Sequence, residues 1–122
     1  MESKYFKPRE FEKCTPSCSI TDMDEGFLAL LDKVRETAGI PFLLSCAYRS
    51  VEWDKAHNRT GNSAHTRGKA VDIICHSSAT RMKIVKAAIE CGITRIGIGK
   101  TFIHIDNDSS LPQGVMFDYY NK

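Results

Sequence analysis

The segment "ITRIGIGKTFIHID", residues 93 to 106, constrains the fold more than any other. Two runs of alternating β-branched residues are joined near "GIGK", a connection too short for the helical crossover that parallel neighbours need. The glycines mark a tight turn or a bulge, and the pair reads as an antiparallel hairpin. Upstream, β-runs interleave with helical ones. "TDMDEGFLALLDKVRETAG" puts Phe27, Leu28, Leu30, Leu31 and Val34 on one stripe at helical spacing, with Asp22 and Glu25 as a capping box and Gly39 as the terminating residue. Pro41 stops that helix, and "FLLSC" follows as a short buried strand. "VEWDKAHN" reads as a short helix, "NRTGNSAHTRG" as a loop and "KAVDIIC" as a second strand. "SSATRMKIVKAAIECG" is a second long helix with Ser78 as N-cap, Ile84, Val85, Ala88 and Ile89 turned inward and Gly92 as terminator. In the tail "LPQGVMFDYYNK", Phe117 and Tyr119 or Tyr120 are expected to pack on the body. Short strands with a hairpin predict an α+β fold, a small mixed or antiparallel sheet with helices packed on it, rather than a doubly wound parallel sheet.

At 122 residues, the chain predicts one domain spanning 1–122 around one core. Its net charge of +2, with Lys and Arg interspersed among Asp and Glu, argues against a nucleic-acid partner. There is no apolar run of membrane-spanning length, and the N-terminus lacks the apolar centre of a secretory signal. Synthesis and folding in the cytoplasm, as a monomer, are the expectation. Of five cysteines, Cys46, Cys75 and Cys91 sit in apolar contexts and read as buried thiols. Cys14 and Cys18, in "CTPSC", look exposed and turn-flanked, close enough for a strained disulfide or half a metal clip.

Strand parity brings the chemistry forward. In "KAVDIIC", Ala70, Asp72 and Ile74 share one face; in "FIHID", Phe102, His104 and Asp106 share one. Two strands therefore each offer a metal-capable group, and the turn at Gly68 can fold His65 back toward Asp72. Two histidines and a carboxylate form a catalytic zinc set that leaves a position for water, which the metal activates beside a polarised carbonyl. The same residues also admit a plainer reading: a loop histidine that caps a turn, and a core-edge histidine hydrogen-bonded to its neighbours.

"SAHTRGKAVD", residues 63–72, resembles the SxHxxGxAxD motif of the zinc D-Ala-D-Ala carboxypeptidases and endopeptidases, the M15 peptidases that share a fold with the hedgehog signalling domain. "GIPFLLSCAYRS" is similar to the family's strand and SGYRS-type turn, with Cys46 and Ala47 in place of its glycine, and "GIGKTFIHID" to the closing GIGxxxxFxHxD segment of one small branch. "EFEKCTPSC" and the helix after it resemble that branch's N-terminal region, so the likeness runs from about residue 6 to 106. It implies a hedgehog-like α+β fold, Zn2+ held by His65, Asp72 and His104, and Arg49 stabilising the oxyanion of a tetrahedral intermediate. Ser50 and Ser63 are either turn residues or hydrogen-bond partners that orient ligands.

Many members carry an acidic general base three positions before the last zinc histidine; here that residue is Thr101. Asp106, two residues past His104 on the same strand face, is the alternative base or else a partner of a zinc-bound histidine. His57 and His76 fall on no motif position, and Arg59, Arg67 and Lys69 read as solvated. The resemblance implies a zinc metallopeptidase cutting an amide in the peptide stems of peptidoglycan, of D,D or L,D type, carboxypeptidase or endopeptidase, and a phage or prophage endolysin acting on the wall after release. The rival is a catalytically inactive zinc-binding module of the same fold that binds a wall peptide or a protein partner.

Overall fold

The computed structural model describes residues 2–120. Its elements are α1 (Pro8–Glu12), α2 (Glu25–Ala38), β1 (Leu44–Cys46), α3 (Val51–Ala56), β2 (Ala70–Ile74), α4 (Ser78–Glu90), β3 (Arg95–Ile98), β4 (Phe102–Asp106) and β5 (Val115–Asp118). Short 3-10 turns cover Ile20–Asp22 and Ala64–Arg67. The five strands form one mixed sheet in the order β1-β2-β4-β3-β5, antiparallel except for the parallel β3–β5 pair. The α+β architecture, the β3–β4 hairpin and the short helix after "YRS" are as the sequence predicts.

Register decides which side of the sheet is dry. Val71, Ile73, Ile103 and Ile105 are fully buried and belong to one core cluster with Phe27, Leu28, Leu31 and Val34 of α2 and Ile84, Ala87 and Ala88 of α4. Burying each of the larger side chains stabilises the fold by about 1.5–3 kcal/mol. On the opposite face Asp72 stands across from His104, and Ala70 across from Asp106. Period-two alternation thus separates a dry face from a polar one on the same two strands.

Several local expectations shift. The N-cap of α2 is Asp24, whose Oδ2 accepts from the Phe27 amide at 2.9 Å. Asp22 instead closes the preceding 3-10 turn, accepting from the Ser19 amide. Two acidic candidates stand two residues apart, and the one whose backbone is extended takes the cap. Ser77 rather than Ser78 caps α4, and Ile89 is 56% exposed, because Ile84, Ala87 and Ala88 already fill the face toward the sheet. Cys14 and Cys18 are not exposed: both are buried thiols beneath α1, whose five residues had no sequence signal beyond Pro8. Burial pushes the Cys14 thiol up to about 12. Cys75 is buried as expected, whereas Cys91, near the exposed end of α4, is only half-buried.

Gly68 carries a structural demand of its own. Its φ of +68° is left-handed, and a Cβ there would collide with the Asp22 carbonyl oxygen and lie 2.9 Å from the Asp24 nitrogen. Its carbonyl accepts from the Asp24 amide at 2.9 Å, tying the loop to the start of α2. Gly68→Ala is therefore expected to lower stability by about 2–4 kcal/mol, the range of strained-backbone and overpacking substitutions. Urea unfolding of the two proteins side by side measures the difference.

Candidate metal centre

His65 enters from the Ala64–Arg67 turn, which Gly68 ends. The turn is held against β1's exit, with the Arg49 amide donating to the His65 carbonyl at 3.2 Å. Nδ1 of His65 lies 2.5 Å from the Ala47 carbonyl oxygen, which can only accept; Nδ1 therefore carries the proton. Nε2 then presents a lone pair, 3.3 Å from Oδ1 of Asp72. His104 is arranged in mirror fashion. Its Nε2 is 2.6 Å from Oδ2 of Asp106, and its Nδ1 is 3.1 Å from that same Oδ1 of Asp72.

Two imidazole lone pairs thus converge on one carboxylate oxygen. Three acceptors cannot share such a space unless a proton or a cation lies between them. The titration behaviour agrees. A proton fills that role where no cation does: burial alone would raise Asp72, yet its interactions with His65 and His104 when these are protonated outweigh burial and hold the carboxyl below its usual range. For His104, burial opposes the charged form, but hydrogen bonds to Asp106 and Asp72 win and raise its pKa. Two nitrogens and an oxygen, each nitrogen's far side anchored by a fixed acceptor, are the donor set that zinc takes in three-ligand sites.

Cys46 is a fourth soft group nearby. It pairs with Asp72 in the β1–β2 register, and its ligand atom lies within 4.8 Å of those of His65 and Asp72. Its contact to His65 is 3.8 Å to Nδ1, the nitrogen already engaged with Ala47. Burial pushes its thiol up to about 12. Cys46 therefore stands beside the protonated nitrogen of His65, whereas His104 faces Asp72 directly with its inner nitrogen.

Arg49 is almost wholly buried. Its Nε lies 2.7 Å from Oδ1 of Asp54, and its Nη2 is 3.4 Å from the Ser63 hydroxyl, which donates to Asp54 Oδ2 at 3.2 Å. Ser50 caps α3 through the Trp53 amide, a helix-starting role. Asp54 is the residue that sequence reading missed. It occurs in an ordinary-looking helical turn, and only burial reveals it as Arg49's counter-ion. Arg95 was missed in the same way: it donates to Asp106 Oδ2 at 3.1 Å and lies over the Phe117 ring at 4.9 Å.

Asp106 has no exposure. Oδ2 serves His104 and Arg95, while Oδ1 accepts from the Asp108 amide at 3.1 Å. Thr101 is exposed in the turn before β4, and its carbonyl accepts from the Cys75 amide. Arg67, read as solvated, is tied to Asp108 and to Asn62. His57 is exposed and stacks on Trp53 at 3.7 Å between ring centroids.

A cleft of about 510 Å³ opens over this centre. Arg49, Asn62 and Ser63 line it together with His65, His104 and Asp106, and Leu111, Pro112, Val115, Phe117, Asp118 and Tyr119 join them from beyond β4.

The model of the family described as Peptidase M15 matches residues 4–106. The chain belongs to the M15 peptidase family. Among solved structures, this M15 chain is similar to the L-Ala D-Glu endopeptidase ChiX of Serratia marcescens, at 21% identity and a TM-score of 0.52, over 83% of this chain and 87% of that one. That likeness is one of fold. No curated protein matches this M15 chain. The cleft residues between Leu111 and Tyr119 lie beyond the family match.

Calorimetric titration with zinc checks the ligand assignment. His65→Ala is expected to abolish stoichiometric binding. Asp106→Asn, which keeps the shape but loses the charge behind His104, is expected to weaken it about 10- to 100-fold.

Proposed function

We propose that this M15 protein is a zinc-dependent peptidase that hydrolyses an amide in the peptide stem of bacterial peptidoglycan. The observation that carries the reading is the convergence of His65 Nε2 and His104 Nδ1 on one Asp72 oxygen, with both histidines lining an open cleft. When bound, zinc polarises a carbonyl and makes water a nucleophile near neutral pH.

The chain's own residues do the remaining work. Ala47 and Asp106 hold protons on the outer nitrogens of the two histidines, which keeps the inner lone pairs on the metal side. Asp106 is thereby a positioning residue, since its oxygens are occupied by His104, Arg95 and the Asp108 amide rather than aimed at a water. This reading favours the second of the two roles that the sequence left open for it. Arg49, fixed by Asp54 and Ser63, presents a preorganised cation at the cleft wall, where it stabilises the developing oxyanion. Polar Asn62 and Ser63 with apolar Leu111 and Pro112 in the cleft's lining suit an extended peptide with small side chains.

The endopeptidase fold neighbour makes the L-Ala–D-Glu junction the first bond to examine, beside the D,D and L,D bonds. Action on the wall after release, as in phage lysis, fits the same reading, as does a monomer that carries its whole site in one chain. Thr101 and the sequestered Asp106 favour one alternative, a zinc-binding module that holds a wall peptide without cutting it.

Incubation with purified bacterial cell walls, with mass spectrometry of new amino and carboxyl termini, separates the two. Cleavage at one stem bond, lost with a chelator and restored by zinc, is the expected result. Walls that bind the zinc-loaded protein yet remain uncut would establish the module instead. In the same assay Arg49→Lys is expected to lower kcat about 100-fold with zinc content unchanged, since a lysine cannot keep both the Asp54 contact and the guanidinium's reach.

A further inference from the structure

Gly68 fixes the end of the His65 turn against residues 22–24, and a second tie joins the same turn to the segment that supports His104. Arg67 closes the Ala64–Arg67 turn, two residues after His65, and its Nε donates to Oδ2 of Asp108. Its Nη1 donates to Asn62 Oδ1 at 3.0 Å, so two separate acceptors fix the guanidinium. Asp108 lies two residues past Asp106, beyond the family match, with its side chain only 2% exposed. Its other oxygen accepts from the Ser110 amide at 3.1 Å and the Ser110 hydroxyl at 2.6 Å. Arg67 supplies the cation that a carboxylate so deeply buried needs. The backbone makes the same join: the Asn107 amide donates to the Lys69 carbonyl at 3.3 Å, one step past the Ala70–Asp106 pair of β2 and β4.

These contacts close a ring around the metal centre. His65 and His104 meet at Asp72, and His104 rests on Asp106 through Nε2. Asp106 accepts from the Asp108 amide, Asp108 holds Arg67, and one short turn of backbone leads from Arg67 back to His65. Strand pairing sets the spacing of Asp72 and His104, whereas His65 comes from a four-residue 3-10 turn that has few hydrogen bonds of its own. We propose that Arg67 and Asp108 are positioning residues: their ion pair holds the His65 turn at coordinating distance from Asp72 and His104, and so sets how tightly the site binds zinc. Neither residue is a ligand. The inference rests on the zinc centre of the proposed peptidase and is independent of which bond is cut.

Zinc affinity under native conditions, measured by competition with a chelator, tests it. In Arg67→Met, which keeps the stem without the charge, and in Asp108→Asn, the dissociation constant is expected to rise about tenfold, the low end of losses for partners beyond the ligands. Arg67→Lys, which keeps a cation for Asp108, is expected to stay within about threefold of wild type. The double variant Arg67→Met with Asp108→Asn is expected to lose no more than either single one, because the two side chains act as one unit. A pair that only steadies the fold would lower the urea midpoint and leave zinc affinity unchanged, and that result overturns the proposal. So do losses that add in the double variant, or a lysine variant as weak as the methionine one. If Arg67→Met does not fold, Asp108→Asn decides alone, since it keeps the shape of the side chain: wild-type affinity overturns the proposal. A wild-type protein that binds no zinc removes the metal centre and this inference with it; one that binds zinc no better than its variants removes this inference alone.

Discussion

Three acceptor atoms face one another at the centre of this molecule. The inner nitrogens of His65 and His104 stand 3.3 and 3.1 Å from a single oxygen of Asp72, and the far nitrogen of each ring is held by its own acceptor. Left without a positive charge, such a cluster is repulsive in a buried setting. The surrounding fold makes sense as a device that keeps it assembled. Asp72 and His104 are register partners on adjacent strands, so pairing alone sets their spacing. Val71, Ile73, Ile103 and Ile105 fix that pairing from the other face, because a one-residue slip would turn four buried aliphatics to the polar side. His65 comes from outside the sheet and needs its own clamp, which Gly68 supplies by packing flush against residues 22–24.

Charge is graded outward from that centre. Asp106 supports His104 and is itself neutralised by Arg95, and Asp54 does the same for Arg49. Each buried carboxylate has a cation and each buried cation a carboxylate, the condition under which such groups are tolerated in an interior. The pairs are also what makes the site stiff: Arg49 and His104 cannot rotate without stranding a buried charge. Preorganisation of this kind is the property that oxyanion stabilisation requires.

The polar face was legible in the sequence to the extent that it follows from period two. Asp72, His104 and Asp106 could be placed on one side from "KAVDIIC" and "FIHID" alone, and the hairpin from "GIGK". His65 entered through the turn at Gly68 rather than through periodicity, and the SxHxxGxAxD resemblance gave it a ligand's role. What stayed hidden depends on long-range burial. Asp54 and Arg95 look like surface charges until the chain closes over them, and Cys14 and Cys18 look like surface thiols until α1 and β1 cover them. β5 was illegible for a related reason: its four residues have little alternation, and it forms because an open edge of β3 is available. Even the two glycines of "GIGK" act partly at a distance, making room for aromatic rings from residues 102 to 119 as well as turning the chain.

Zinc K-edge X-ray absorption of the purified, zinc-loaded protein reads the ligand set directly. The structure predicts two imidazole nitrogens and carboxylate oxygen at about 2.0–2.2 Å, a further light-atom scatterer from solvent, and no sulfur. A sulfur shell at about 2.3 Å would place Cys46 on the metal, close the position that hydrolysis needs and contradict the account.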